Sequence, residues 1–315
     1  MGVSVEPIAH PAAPGGFLAW TTSPLALRRL ALASLVANVL IVVTGGAVRL
    51  TNSGLGCPTW PSCTSASLTP TKAYSFHGVI EFTNRQLTFV VGLLAALTLV
   101  AAWRQRRELP LAGVAFLGIP AQAVLGGITV LTDLNPYAVA CHFLLSMGVL
   151  AAYALLVWRL SERGAVQVPI QAVWLARTTV AVAAGVLTLG TLVTGSGPHA
   201  GDLKAGRLHR IHLASSSASQ LHADAVMVLI GLTAGVLAMS FALDASRALP
   251  RAAALLLGVE LAQGVIGYTQ YFLHVPPLLV ALHMFGACLV WLAALQLVLL
   301  VEPRAAAGIT RVGKG

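Results

Sequence analysis

At 315 residues, 57% hydrophobic and only 9% charged, with a mean hydropathy of +0.84, the chain carries far too much apolar surface for a soluble domain and is read as a polytopic membrane protein. Its formal charge of +9 is accounted for by loop charges that set topology and by anionic lipid, so no nucleic-acid partner is expected.

Windows of about twenty apolar residues, the length that crosses about 30 Å of hydrocarbon as helix, predict eight spans at approximately 27–48, 77–101, 111–131, 138–158, 174–194, 220–243, 251–272 and 278–300. No alternation of period two persists, and helices satisfy their backbone groups internally, as lipid demands. The expected fold class is an all-α polytopic membrane bundle. Residues 1–23 show no signal-peptide pattern, so the first helix is expected to act as its own insertion signal.

The first span closes on Gly45-Gly46-Ala47-Val48-Arg49, where Arg49 could either bind a carboxylate or snorkel to phosphate headgroups. The loop that follows holds Cys57-Pro58-Thr59-Trp60-Pro61-Ser62-Cys63; on an oxidising side this spacing favours a disulfide and matches no common zinc site. Whether such a bond is structural or exchanges electrons is not readable from spacing. Helix two presents His77, Glu81 and Asn84 on one face, at separations of four and three. Glu81, an unusual residue at this depth, either pairs with Arg85 at i+4 or transfers protons beside a substrate. Helices four, six and eight carry His142, His222 and His283, and with His77 these four imidazoles each fall near the start of an inward-running span. Cys141 and Cys288 lie within spans and are expected to be packing residues. His199, His209, His212 and His274 belong to outer loops and are expected to be solvated.

Topology follows from charge. Thirteen Lys and Arg lie on the side of the termini (Arg28, Arg29, Arg104, Arg106, Arg107, Arg159, Arg163, Arg177, Arg247, Arg251, Arg304, Arg311, Lys314) against five opposite (Arg49, Lys72, Lys204, Arg207, Arg210), which makes both termini cytoplasmic. The histidines then lie toward the outer face. Sliding the chain against itself by 141 superposes Ala121, Gln122, Val124, Gly126, Pro136, Val139, Ala140 and His142 on their identities up to His283, eight matches in twenty-two positions without a gap. Two related four-helix halves in parallel orientation are expected. For helices two and six the register stays open: His77 can be laid on His222, or Asn84 can.

Imidazole is costly in hydrocarbon unless paired or metal-bound, so matched histidines on facing helices point to haem ligation. His222 and His283 form the cleaner pair, and Arg49 could meet a propionate. Gly46-Ala47-Val48-Arg49-Leu50-Thr51-Asn52-Ser53-Gly54-Leu55-Gly56-Cys57-Pro58-Thr59-Trp60-Pro61-Ser62-Cys63, together with Ile80-Glu81-Phe82-Thr83-Asn84-Arg85 and the histidines of helices four, six and eight, resembles the haem A synthase family across all eight helices. The resemblance implies two pseudo-symmetric four-helix bundles: a cytoplasmic tail 1–26, an N-terminal bundle 27–158 holding haem O as substrate, a linker 159–173, a C-terminal bundle 174–302 holding haem b, and a cytoplasmic tail 303–315. It implies haem b ligation by His222 and His283, a substrate-site His142, a catalytic Glu81 and a Cys57–Cys63 disulfide. The expected activity is oxidation of a ring methyl of haem O to a formyl group by two hydroxylations and loss of water. Haem O synthase is a candidate partner beside membrane lipid, and the sequence names no redox partner. One departure stands out: Asn84 occupies the position where the family usually has histidine, so the second substrate ligand falls to His77 or is absent. A di-haem electron carrier without substrate chemistry explains the histidine pairs but leaves Glu81 and the cysteine loop idle, and a transporter would show paired helix breaks that the spans lack.

Overall fold

The computed structural model describes residues 21–70, 75–161, 164–203 and 210–302. His209, the loop cations Lys72, Arg163, Lys204, Arg207, Arg304, Arg311 and Lys314, residues 1–20 of the N-terminal tail and the tail 303–315 lie outside the described residues. Among the described residues there are eight helices and no strand: α1 Pro24–Leu50, α2 Ser75–Gln105, α3 Leu109–Leu131, α4 Pro136–Arg159, α5 Ile170–Ser196, α6 Ser215–Ala242, α7 Ala248–Phe272 and α8 Pro277–Val301. All eight are long and apolar enough to cross a membrane, and the chain is a multi-pass membrane protein. Each helix overruns its predicted window at one or both ends, because polar residues of the headgroup region continue the helical backbone beyond the hydrocarbon.

Helices α1 to α4 pack as one ring of neighbours and α5 to α8 as another, joined where α8 lies against α1 and α4 and α4 against α5. Each ring has its own core. That of the first includes Leu27, Leu30, Ala95, Ala112, Tyr153 and Leu156. The second includes Val173, Ala176, Leu229, Ala253, Leu256 and Leu297 and reaches Val39 of α1 and Met147 of α4, so one apolar interior fuses the halves. Trp291 Nε1 donates to the Met147 carbonyl at 2.9 Å across this seam.

The turns display the duplication bond for bond. Between α3 and α4, Thr132, Asp133 and Leu134 donate their N–H groups to the carbonyls of Ile128, Val130 and Thr129; between α7 and α8, Leu273, His274 and Val275 donate to Thr269, Tyr271 and Gln270, each 141 residues later. In both turns two consecutive residues take the left-handed region, Asp133 (φ 50°) with Leu134 (58°) and His274 (59°) with Val275 (62°). A branched side chain such as Val275 adopts that conformation at a cost. The conformation is therefore imposed by the packing of the two helices it joins. Pro136 and Pro277 open the following helices, where a missing N–H costs no helical bond. Asn135 also caps α4, its side chain accepting from Tyr137 N–H at 3.0 Å and Ala138 N–H at 3.4 Å.

The turns after α2 and α6 fix the remaining register. Arg106 and Arg107 donate to Trp103 and Ala102 after α2, as Asp244 and Ala245 donate to Phe241 and Ser240 after α6, and Arg106 and Asp244 are both left-handed (φ 50° and 46°). The offset here is 138 residues, and it superposes Asn84 on His222 and His77 on Ser215.

Candidate functional site

Four glycines bring four side chains against neighbouring helices. A Cβ on Gly190 of α5 would lie 3.4 Å from Cε1 of His222, one on Gly267 of α7 would lie 3.5 Å from Cε1 of His283, and one on Gly126 of α3 would lie 3.2 Å from Cε1 of His142. Gly45 of α1 completes the set, with its Cβ position 4.0 Å from Nδ2 of Asn84. Each of the three rings and the Asn84 amide therefore lies against a backbone face that bears no side chain; a single added carbon is an ordinary contact at Gly190, Gly267 and Gly45 and is crowded only at Gly126. Asn84, and not His77, takes the fourth place in this pattern.

In the second half the His222 and His283 rings stand 6.4 Å apart, centre to centre, at an interplanar angle of 72°. Two imidazole nitrogens each about 2 Å from a shared metal put their ring centres roughly 6 Å apart. The pair fits a haem iron. His222 Nδ1 donates to the Val186 carbonyl at 3.1 Å, which selects the tautomer whose Nε2 carries the lone pair. His283 Nδ1 and His142 Nδ1 are buried without a hydrogen-bond partner, as are the carbonyl oxygens of Gln263 and Gln122, one turn before Gly267 and Gly126. Gln122 Nε2 donates to the His142 carbonyl at 3.1 Å and to Ser146 Oγ at 2.9 Å.

The loop after α1 lies against α2 and α3 of the first half and reaches the second half through Gly54, whose N–H donates to the Gly201 carbonyl at 2.9 Å. Cys57 and Cys63 form a disulfide, and both are buried. Glu81, 5% exposed, accepts the Cys57 N–H on Oε2 at 2.7 Å and Arg85 on Oε1 from Nε at 3.1 Å and Nη2 at 2.5 Å. Arg85 donates onward to the carbonyls of Cys57 (2.8 Å), Thr59 (2.9 Å) and Ser62 (3.3 Å). Oε2 thus holds the loop directly and Oε1 through Arg85, the i+4 pairing that is one of the two alternatives for Glu81. Trp60 lies flat on Gly127, where a Cβ would come within 2.5 Å of its ring, next to the Gly126 that supports His142. His77 belongs to this loop as well: Nδ1 lies 2.9 Å from Ser53 Oγ, and its carbonyl abuts Gly56.

Arg49 Nη2 donates to the Thr194 carbonyl of α5 at 2.8 Å, while its Nε and Nη2 of Arg210 are buried without partners. Burial lowers the pKa of the Arg210 guanidinium in its loop. Two neighbouring cations with free N–H groups suit a carboxylate. His199 is tied down, its Nε2 bonding the Val275 carbonyl at 2.8 Å, whereas His212 and His274 are exposed. Cys141 is an exposed free thiol on its helix, and Cys288 a buried one. Sequence reading missed Glu260 of α7, 2% exposed, which accepts from Thr233 Oγ1 at 2.8 Å; a carboxylate in the middle of an apolar window was the available signal. It also missed Thr44, whose Oγ1 lies 2.8 Å from Asn84 Oδ1.

The sequence matches the COX15-CtaA family, described as cytochrome oxidase assembly protein, over residues 28–295. The chain belongs to this family. Among curated relatives, it is 35% identical to heme A synthase of Geobacillus thermodenitrificans over 138 residues, covering 42% of this chain and 43% of that protein. It is 37% identical to heme A synthase of Lysinibacillus sphaericus over 135 residues, 41% of this chain and 43% of the relative. The matched stretch thus spans less than half the length of either relative.

Proposed function

We propose that this protein is a haem A synthase, oxidising a ring methyl group of haem O to a formyl group by two successive hydroxylations and loss of water. The observation that carries the reading is the paired architecture: a 6.4 Å bis-imidazole gap in one half and, in the other, the same glycine-backed pocket fitted with His142 and covered by a loop anchored on Glu81. His222 and His283 would hold haem b, which supplies one-electron transfer when bound. Their helices orient both rings, and the Val186 carbonyl keeps the His222 proton on Nδ1.

In the first half His142 holds the iron of the haem O substrate, and Glu81 is the group assigned to proton transfer beside it. Trp60 and the disulfide loop keep water from that pocket on its outer side. Arg49 and Arg210 bind propionate. His77 is assigned to the loop through Ser53. The Lys and Arg distribution supports cytoplasmic termini with both sites toward the outer leaflet, and a lipid-facing bundle suits a farnesylated substrate delivered by haem O synthase within the bilayer.

Purified protein is expected to show a b-type reduced-minus-oxidised spectrum that is lost in His222→Ala and in His283→Ala. Mass analysis of pigments from cells supplied with haem O is expected to show the formyl product. Persistence of the spectrum in both variants refutes the ligand assignment. The second reading, a di-haem electron carrier, draws support from the full engagement of Glu81 by Cys57 and Arg85; unchanged formyl product in Glu81→Ala would favour it.

A further inference from the structure

The halves differ where the duplication makes them most comparable. The 138-residue register of the turns after α2 and α6 lays Asn84 on His222, and Gly45 backs Asn84 as Gly190 backs His222. The offset of 145 between those two glycines then lays Ile41 on Val186 and Thr44 on Leu189.

These neighbours changed together. In the second half the Val186 carbonyl receives the His222 ring N–H at 3.1 Å. In the first half the Thr44 hydroxyl has one hydrogen, which the shorter contact gives to Asn84 Oδ1 at 2.8 Å, with the equivalent Ile41 carbonyl 3.2 Å from the same Oγ1. The carbonyl that would fix an imidazole tautomer is faced instead by the hydroxyl that anchors the amide. With its oxygen held by Thr44, Asn84 is left to present the Nδ2 group, which donates hydrogen bonds and has no lone pair for a metal. Amide carbonyls in any case suit hard cations, whereas imidazole suits iron. His77 cannot substitute: it stands seven residues earlier, about 10 Å along the helix axis at 1.5 Å per residue, with Nδ1 engaged by Ser53.

We infer that the first half binds its haem iron through His142 alone, with Asn84 held by Thr44 on the opposite side as a hydrogen-bond donor to a small ligand of that iron. The inference rests on the haem reading of this pocket and deepens it. One haem in each chain is then five-coordinate and open to ligands while the other is closed by two histidines. Glycine-backed pockets of common origin are thereby split into a reactive site and an electron-transfer site by one pair of side chains.

The test uses the full-length protein purified with both sites filled by haem b and haem O, read by pyridine-haemochrome content and by the ferrous CO difference spectrum. The expected result is two haems in each chain, CO bound to one of them, and a high-spin signal of matching size. In Asn84→His combined with Thr44→Leu, which rebuilds the second-half surroundings, the CO binding and the high-spin signal are lost while haem content is retained. Wild-type protein holding two haems, both low-spin and neither binding CO, overturns the inference yet leaves the haem reading intact. Protein that retains a single haem under these conditions overturns both.

Discussion

Replacing Glu81 by Gln separates the mechanical part of this carboxylate from any chemical one. Glutamine keeps an acceptor for the Cys57 N–H, now bonded at 2.7 Å, but removes the charge that Arg85 contacts at 2.5 and 3.1 Å. Leaving one partner of a buried ion pair unpaired costs about 3–5 kcal/mol. Here the cost falls below that range, because Arg85 keeps its bonds to three loop carbonyls and its side chain is 19% exposed. About 2–3 kcal/mol of loop anchorage is the expected loss, which raises the open population about 30- to 150-fold at 1.4 kcal/mol per decade. Cys57 and Cys63 are buried, so reduction by dithiothreitol requires that opening. The rate of alkylation of the two sulfurs under limiting reductant reports it directly. An increase smaller than about threefold, well under one decade, would falsify the idea that Glu81 secures the loop, and any loss of product in that variant would then be chemical in origin.

The other expectations are tested with simpler variants. Thr233→Ala strips Glu260 of its one hydrogen bond and is expected to lower detergent thermal stability by about 1–3 kcal/mol; adding Glu260→Ile recreates Ala95 with Ile119, their first-half counterparts, and is expected to recover most of the loss. Thermal denaturation of the single and double variants checks both. Gly190→Leu drives a side chain into the His222 ring, 3.4 Å from the first added carbon, and is expected to abolish the bis-histidine spectrum; Gly267→Ala, at 3.5 Å, is expected to retain it, as visible absorption will show. Trp60→Ala uncovers Gly127 beside the His142 pocket and is expected to release haem from the first half in detergent while the His222–His283 spectrum persists.

What the sequence shows of this protein, and what it hides, follows from how each feature is encoded. The eight spans are legible because the hydrocarbon imposes length and composition together. The match of His142 to His283 is legible because α3, its turn and α4 repeat at 141 without a gap, down to the left-handed pair at the turn. Helices α2 and α6 are not alignable by eye, since the register changes from 138 to 141 in the turn that follows them and the diagnostic residue is Asn84 in one copy. The glycine contacts were hidden for a different reason. Thirty glycines are spread along the chain, and only the packed helices reveal which of them back the three histidine rings and the Asn84 amide. The pairing of Thr44 with Asn84 likewise joins two helices forty residues apart, a separation at which helical periodicity carries no information.

The fused interior explains how one pocket could diverge without disturbing the other. His142 and His283 each stand six residues after the proline that opens their helix, so they lie at equal depth on α4 and α8, which pack against each other. Below them the Trp291–Met147 bond and the shared core fix those two helices at one spacing. The helices opposite, α2 and α6, are diagonal to that seam and touch only their own half. A change on α2, such as Asn84 or Glu81, alters one pocket and leaves the seam untouched. A change on α4 or α8 would shift both sites at once. The retained His142 and His283 therefore sit on helices tied across the seam, whereas Asn84 and Glu81 on α2, Thr233 on α6 and Glu260 on α7 sit on helices that touch only their own half; Thr44, on α1, is the exception.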